Sequence, residues 1–122
     1  MESPHVWRRT VPHNQEVAGY SFLADMYQDG YYPDHLVDLG KAILVRMCDR
    51  IETEKPTDLA ALYAITHAAT EEFNELEEVF DQAGSEIETV ARDTIGMDFH
   101  FVATAYGFAE ADIEELISTR EW

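Results

Sequence analysis

The stretch from Thr57 to Gly84 limits what this chain can fold into more than any other. Within it Leu59, Leu62, Thr66, Ala69, Phe73, Leu76, Phe80 and Ala83 recur at alternating steps of three and four residues, the spacing of one continuous helical seam. Leu59-Ala60-Ala61-Leu62-Tyr63-Ala64-Ile65 is apolar on every side, so this half is expected to be surrounded by other elements. Glu71-Glu72-Phe73-Asn74-Glu75-Leu76-Glu77-Glu78 is apolar on the seam alone, and is expected to be half-exposed.

The rest of the chain supplies helices to cover that seam. Residues 1–13 hold Pro4 and Pro12 and lack periodicity, which reads as an extended lead-in with Trp7 placed to tie it down. Residues 14–122 form one helical domain. Asn14 is placed to cap a first helix through Tyr20, Leu23, Ala24 and Tyr27, which Gln28-Asp29-Gly30 stops. Asp34 follows Pro33 and is placed to cap the second helix, whose row of Leu36, Gly40, Ile43, Met47 and Ile51 has Val37, Leu44 and Cys48 beside it. Pro56 ends that helix and Thr57 is placed to cap the third.

Gly84 suits a left-handed stop, and Ser85 with Glu88 carries the capping-box spacing for the fourth helix. A connection this short predicts that the third and fourth helices form an antiparallel hairpin. Ile87, Ala91, Thr94, Ile95, Phe99, Val102, Ala105 and Tyr106 give the fourth helix its apolar side, and Glu88 with Arg92 has the spacing of a favourable pair. Gly107 ends it with Phe108 folding back, and Ile113, Leu116 and Ile117 mark a short final helix. The fold class is all-α, a single-domain bundle of four to five helices.

Charge narrows the partners. The chain carries 8 basic and 25 acidic residues, a formal charge of −17, which excludes nucleic acid and anionic membrane as natural partners. Residues 51–122 hold −15 of that charge. Such a run reads either as a solvated face or as a surface that attracts a basic protein. The single cysteine, Cys48, excludes an internal disulfide framework and reads as a core residue. No apolar run is long enough to cross a bilayer, and no apolar segment follows Arg8 and Arg9, so a cytoplasmic location is expected.

Candidate chemistry is sparse. His5 and His13 sit in the lead-in, whereas His35, His67 and His100 sit on three different helices and are the candidate metal ligands. No helical Glu-x-x-His pair or H-E-x-x-H pattern accompanies them, and no metal or other cofactor is implied. His67 and Glu71 lie one turn apart with Glu75 beyond; the first reading is a hydrogen-bonded histidine at the core edge, the second a general acid–base or metal role. Asp98 lies near the apolar side of the fourth helix beside Ile95, Phe101 and Val102. It reads as an ion-paired or boundary carboxylate, or as a desolvated acid beside His67 or Arg46. Tyr20, Phe22, Tyr27, Tyr31 and Tyr32 read as packing rings or as one end of a ligand site. Thr66, Thr70 and Asn74 are placed to satisfy each other or to cap neighbouring groups.

The run Leu62-Tyr63-Ala64-Ile65-Thr66-His67-Ala68-Ala69-Thr70-Glu71-Glu72-Phe73-Asn74, followed by Ala83-Gly84-Ser85-Glu86-Ile87-Glu88-Thr89-Val90-Ala91-Arg92, resembles a small bacterial family catalogued as a domain of unknown function. The resemblance extends from about Met26-Tyr27 to Ile117-Ser118-Thr119-Arg120-Glu121-Trp122. It implies a bacterial, helical protein and carries over no activity and no site residue.

Two functional classes follow. The first is a non-catalytic interaction or regulatory protein that binds a basic protein through Glu71, Glu72, Glu75 and Glu78. The second is a small helical-bundle enzyme, metal-assisted or not, using His67 with Glu71 or Asp98, or a ligand-binding bundle built around Tyr27, Tyr31 and Tyr32. The apolar faces of the second and third helices leave a homodimer open as well.

Overall fold

The computed structural model describes residues 12–122. Most of the lead-in, including His5 and Trp7, lies outside the described residues. Among the described residues there are six helices and no strand: α1 Gln15–Ala18, α2 Ala24–Gln28, α3 Asp34–Glu54, α4 Leu59–Gln82, α5 Thr89–Ala105 and α6 Ile113–Leu116. The expected all-α class holds. The helix count exceeds the expected four to five because the first predicted helix is two single turns.

That break has a tertiary cause. Asn14 does cap α1, accepting from the backbone N–H groups of Glu16 at 2.9 Å and Val17 at 3.2 Å, but the helix stops at Gly19. Leu23, just before α2, sits in the left-handed region at φ 58°. This conformation is unfavourable for a leucine, and it goes with a backbone N–H that donates to the buried carboxylate of Asp98 at 2.7 Å.

The caps of the long helices also differ from expectation. Pro33, not Asp34, occupies the cap position of α3, and Asp34 lies in its first turn, where a carboxylate favours the helix dipole. Asp58 rather than Thr57 caps α4, accepting from Ala61 N–H at 2.8 Å. The expected Ser85–Glu88 capping box does not form. Ser85 is buried and its hydroxyl donates to the Tyr31 carbonyl at 3.1 Å, while Glu88 makes no cap bond. Nor do Glu88 and Arg92 pair, because Arg92 Nε is turned to the carbonyl of Trp122 at 3.3 Å. The glycine stops do hold: Gly84 has φ 82° and Gly107 φ 94°. Ser85 N–H then reaches the Phe80 carbonyl at 2.9 Å, and Phe108 N–H that of Ala103 at 2.8 Å, closing both helices in the manner of a Schellman turn.

The core lies among α3, α4 and α5. The most extensive helix contact is between α3 and α4, and α4 with α5 forms the expected antiparallel hairpin. Phe73 and Phe99 stand equally far from the turn that joins those helices, with ring centroids 6.0 Å apart. The apolar half of α4 is not surrounded as expected. Leu62 and Ile65 are buried, but Ala60, Ala61 and Ala64 face outward. Alanine is the best helix former and exposes little apolar area, so this arc is tolerated without a cover.

Gly40 sets how closely α3 approaches its neighbours. A methyl group there would meet Leu23 Cδ1 at 3.0 Å and Phe73 Cε1 at 3.1 Å, both on side chains that are themselves almost fully buried. Helix propensity favours alanine by about 1 kcal/mol, but overpacking a site that cannot give costs about 1–3 kcal/mol. Gly40→Ala is therefore expected to lower stability by about 1 kcal/mol. Gly30→Ala, where a methyl group meets nothing within 4 Å, is expected to leave stability unchanged or raised. Urea denaturation of both variants checks the contrast.

Candidate functional site

His67, Thr70 and Asn74 recur along one stripe of α4, beside the apolar seam. His67 Nε2 lies 2.8 Å from the Glu115 carbonyl oxygen. A carbonyl only accepts, so Nε2 carries the proton. Ser118 Oγ lies 3.2 Å from the same nitrogen and 3.4 Å from Glu115 Oε2, so it accepts from the ring and donates to the carboxylate. Nε2 has no lone pair left for the serine proton, and the pair is not a nucleophile with its base. Thr70 Oγ1 donates to the Thr66 carbonyl at 2.8 Å and the Leu116 carbonyl at 3.3 Å. Asn74 donates to the Thr119 carbonyl at 3.1 Å and accepts from Glu121 N–H at 2.8 Å.

The stripe is a pin for residues 113–122. It satisfies backbone groups of a segment too short to pair them within a helix. Trp122 completes the attachment, 7% exposed with its ring centroid 6.1 Å from that of Phe73.

Pinning this segment also gathers charge. Asn74 holds Glu121 by its backbone, and Glu77 stands one turn further along α4. The pKa of Glu77 is raised, first by burial and then by the carboxylates of Glu121, Asp81, Glu78 and Glu86. Glu71, Glu75 and Glu78 are exposed on the outer arc, with Val79 40% exposed among them. Glu72 meets Arg46 at 2.5 Å, with 59% and 44% of the arginine and glutamate side chains exposed, an arrangement worth little in stability. Helical spacing singles out the outer-arc glutamates and passes over Glu77, which borders the seam, and Glu121, which reaches it only through the fold.

Asp98 is neither ion-paired nor at an exposed boundary, contrary to the first of its expected readings. It is 3% exposed, and accepts from Tyr20 Oη at 2.7 Å and Leu23 N–H at 2.7 Å. Burial raises its pKa, and these two donors offset part of the effect. Tyr20, stacked on Phe101 with centroids 3.9 Å apart, is in turn pushed up to about 12 by burial and by the bond to Asp98. Among the described residues Asp98 and His67 share no hydrogen-bond partner, and the Glu71 side chain makes no hydrogen bond. Among the described residues no group of three or more histidine, cysteine or acidic side chains is arranged to hold a metal ion. His35 is exposed and His100 half-buried on separate helices.

The aromatic cluster divides by role. Phe22 and Tyr32 are buried and Tyr31 is 42% exposed, while Tyr27 Oη donates to Asp38 at 2.5 Å. Cys48 is a buried free thiol, pushed up to about 12 mainly by burial. No helix of the described residues is long and apolar enough to cross a membrane.

The chain belongs to a family of unknown function (DUF5713), whose model matches residues 16–122. The match spans the whole pinned bundle, from α1 to Trp122. No curated protein and no solved structure matches the chain.

Two outcomes follow from this geometry. Asp98→Ala leaves the Leu23 N–H and the Tyr20 hydroxyl without their acceptor, and is expected to cost about 2–3 kcal/mol in urea denaturation. Nitrogen NMR of the His67 ring is expected to show the proton on Nε2 at neutral pH. A ring protonated on Nδ1 alone would contradict the pin.

Proposed function

We propose that this protein is a non-catalytic interaction or regulatory protein that binds a basic protein surface through the acidic face of α4 and the pinned C-terminal segment. The observation that carries the proposal is the position of Glu77. Its carboxyl stands in the field of Glu121, Asp81, Glu78 and Glu86, and none of these five carboxylates has an ion-pair partner among the described residues. Crowded like charges destabilise a folded chain on its own. A partner that brings lysine or arginine relieves that repulsion, whereas solvation alone only screens it. The −15 carried by residues 51–122 extends the attraction beyond the cluster and speeds encounter, and Val79 offers an apolar contact within it. A cytoplasmic setting belongs to the proposal.

Titration of isotope-labelled protein with a decalysine peptide checks this reading. At low salt the amide shifts are expected to concentrate in residues 71–86 and at Glu121, and to fade as the screening length falls from about 10 Å at 0.1 M salt to about 3 Å at 1 M. Shifts spread evenly over all acidic segments, including Asp25 to Asp38, would overturn it.

Stability gives a second readout. A carboxyl whose folded pKa is raised contributes fully below the ordinary glutamate range, and that contribution is lost as pH rises through the folded pKa. Glu77→Gln is thus expected to raise the unfolding midpoint by about 1–2 °C at pH 7, with the gain disappearing as the pH is taken below about 4.

A further inference from the structure

A cleft of about 420 Å³ opens where α3 ends, lined by Ile51, Glu52, Lys55, Pro56, Tyr106 and Phe108 together with the chain entering α1. Its volume suits a small molecule, and its walls set the apolar and aromatic surfaces of Ile51, Pro56, Tyr106 and Phe108 beside the polar side chains of His13, Asn14, Glu52 and Lys55. The Glu52 carboxylate is held in place by three donors. Tyr106 Oη and Asn14 N–H reach Oε2 at 2.5 Å and 2.9 Å, and His13 N–H reaches Oε1 at 3.1 Å. Burial opposes the charge, yet these donors outweigh it and keep the pKa of Glu52 below the ordinary glutamate value. It is a fixed negative charge at neutral pH.

Lys55 lies three residues further along the same helix end, a spacing at which opposite charges usually meet. The two do not pair: the lysine and arginine ion pairs among the described residues are Arg46–Glu72, Arg50–Glu54 and Arg120–Glu114. Lys55 occupies the left-handed cap position at φ 51°, which takes its side chain off the helical spacing. The cleft therefore presents a fixed anion and a cation with no ion-pair partner among the described residues, together with apolar and aromatic surface.

We propose that this cleft binds a small zwitterion of the α-amino-acid class with an apolar side chain. The ligand ammonium takes the remaining acceptor position of Glu52, since a carboxylate offers about four and three are filled. The ligand carboxylate takes the ammonium of Lys55, and the side chain lies against Phe108, Pro56 and the ring of Tyr106. Net charge selects among the alternatives. A simple anion is repelled by a chain of charge −17, and a simple cation leaves Lys55 opposing it, whereas a zwitterion satisfies both groups and carries no net charge. This site is separate from the acidic face of α4 and does not depend on the reading given to that face.

The test is an amide-shift titration of the full chain with L-phenylalanine and L-leucine, and with two blocked forms, L-phenylalaninamide and N-acetyl-L-phenylalanine. At least one free amino acid is expected to give saturable shifts at Lys55, Tyr106 and Phe108 with a millimolar Kd. Each blocked form is expected to bind about tenfold more weakly than the phenylalanine it derives from, and Lys55→Met, at an exposed position, to weaken binding by about the same factor with the rest of the spectrum unchanged. No saturable shift from either amino acid up to about 20 mM would overturn the proposal. Blocked forms that bind as well as the free amino acid, or a Lys55→Met variant that binds normally, would also overturn it.

Discussion

Helix α4 meets the rest of the protein on two faces at once, and the structure depends on both. Its seam of Leu62, Ile65, Ala69, Phe73, Leu76 and Phe80 closes the core against α3 and meets α5 where Phe73 faces Phe99. The adjoining stripe of His67, Thr70 and Asn74 holds the C-terminal segment by its backbone carbonyls and the N–H of Glu121. Burial of the seam supplies most of the stabilisation, at about 25 cal/mol per Å² of apolar surface. The polar stripe adds little net energy per bond, about 0.5–1.5 kcal/mol, but ties residues 115–121 to α4, while Ile113 and Ile117 pack on α5 at Gly96. Trp122 reaches Phe73 because the segment before it is pinned.

The same attachment makes the surface. Once Asn74 fixes Glu121, its carboxylate comes into the field of Glu77, and α4 carries Glu78 and Asp81 alongside. A chain optimised for stability alone would place a lysine near such a cluster. This one spends a cation on Glu72 at the α3 side and leaves the Glu77 end without an ion-pair partner among the described residues. The proposed partner explains that choice in physical terms, since a charge that costs stability in isolation becomes attraction at an interface.

Much of this fold was legible in the residues, and the parts that were not share one cause. The seams of α3, α4 and α5 follow from apolar spacing, and the stops at Gly84 and Gly107 follow from a residue free to take positive φ. Local chemistry misplaced the caps, because Asp58 and Thr57 both suit the position and Ser85 is drawn inward to Tyr31 by packing. The break before Leu23 depends on Asp98, 75 residues away in sequence, and the pin joins His67 to residues 48 to 51 positions further on. Spacing along one helix carries no signal of such pairings. For the same reason the outer glutamates of α4 could be singled out from sequence, while Glu77 and the Glu52 cleft needed the fold.

The titration of Glu77, followed through its side-chain carboxyl carbon by NMR, tests the central claim most directly. With the protein alone, Glu77 should titrate above the ordinary glutamate range of about 4.3, and saturating decalysine should bring it back toward or below that range. A Glu77 that titrates normally in the free protein, or that does not respond to the bound polycation, would contradict the claim that its neighbours form an uncompensated surface awaiting a basic partner.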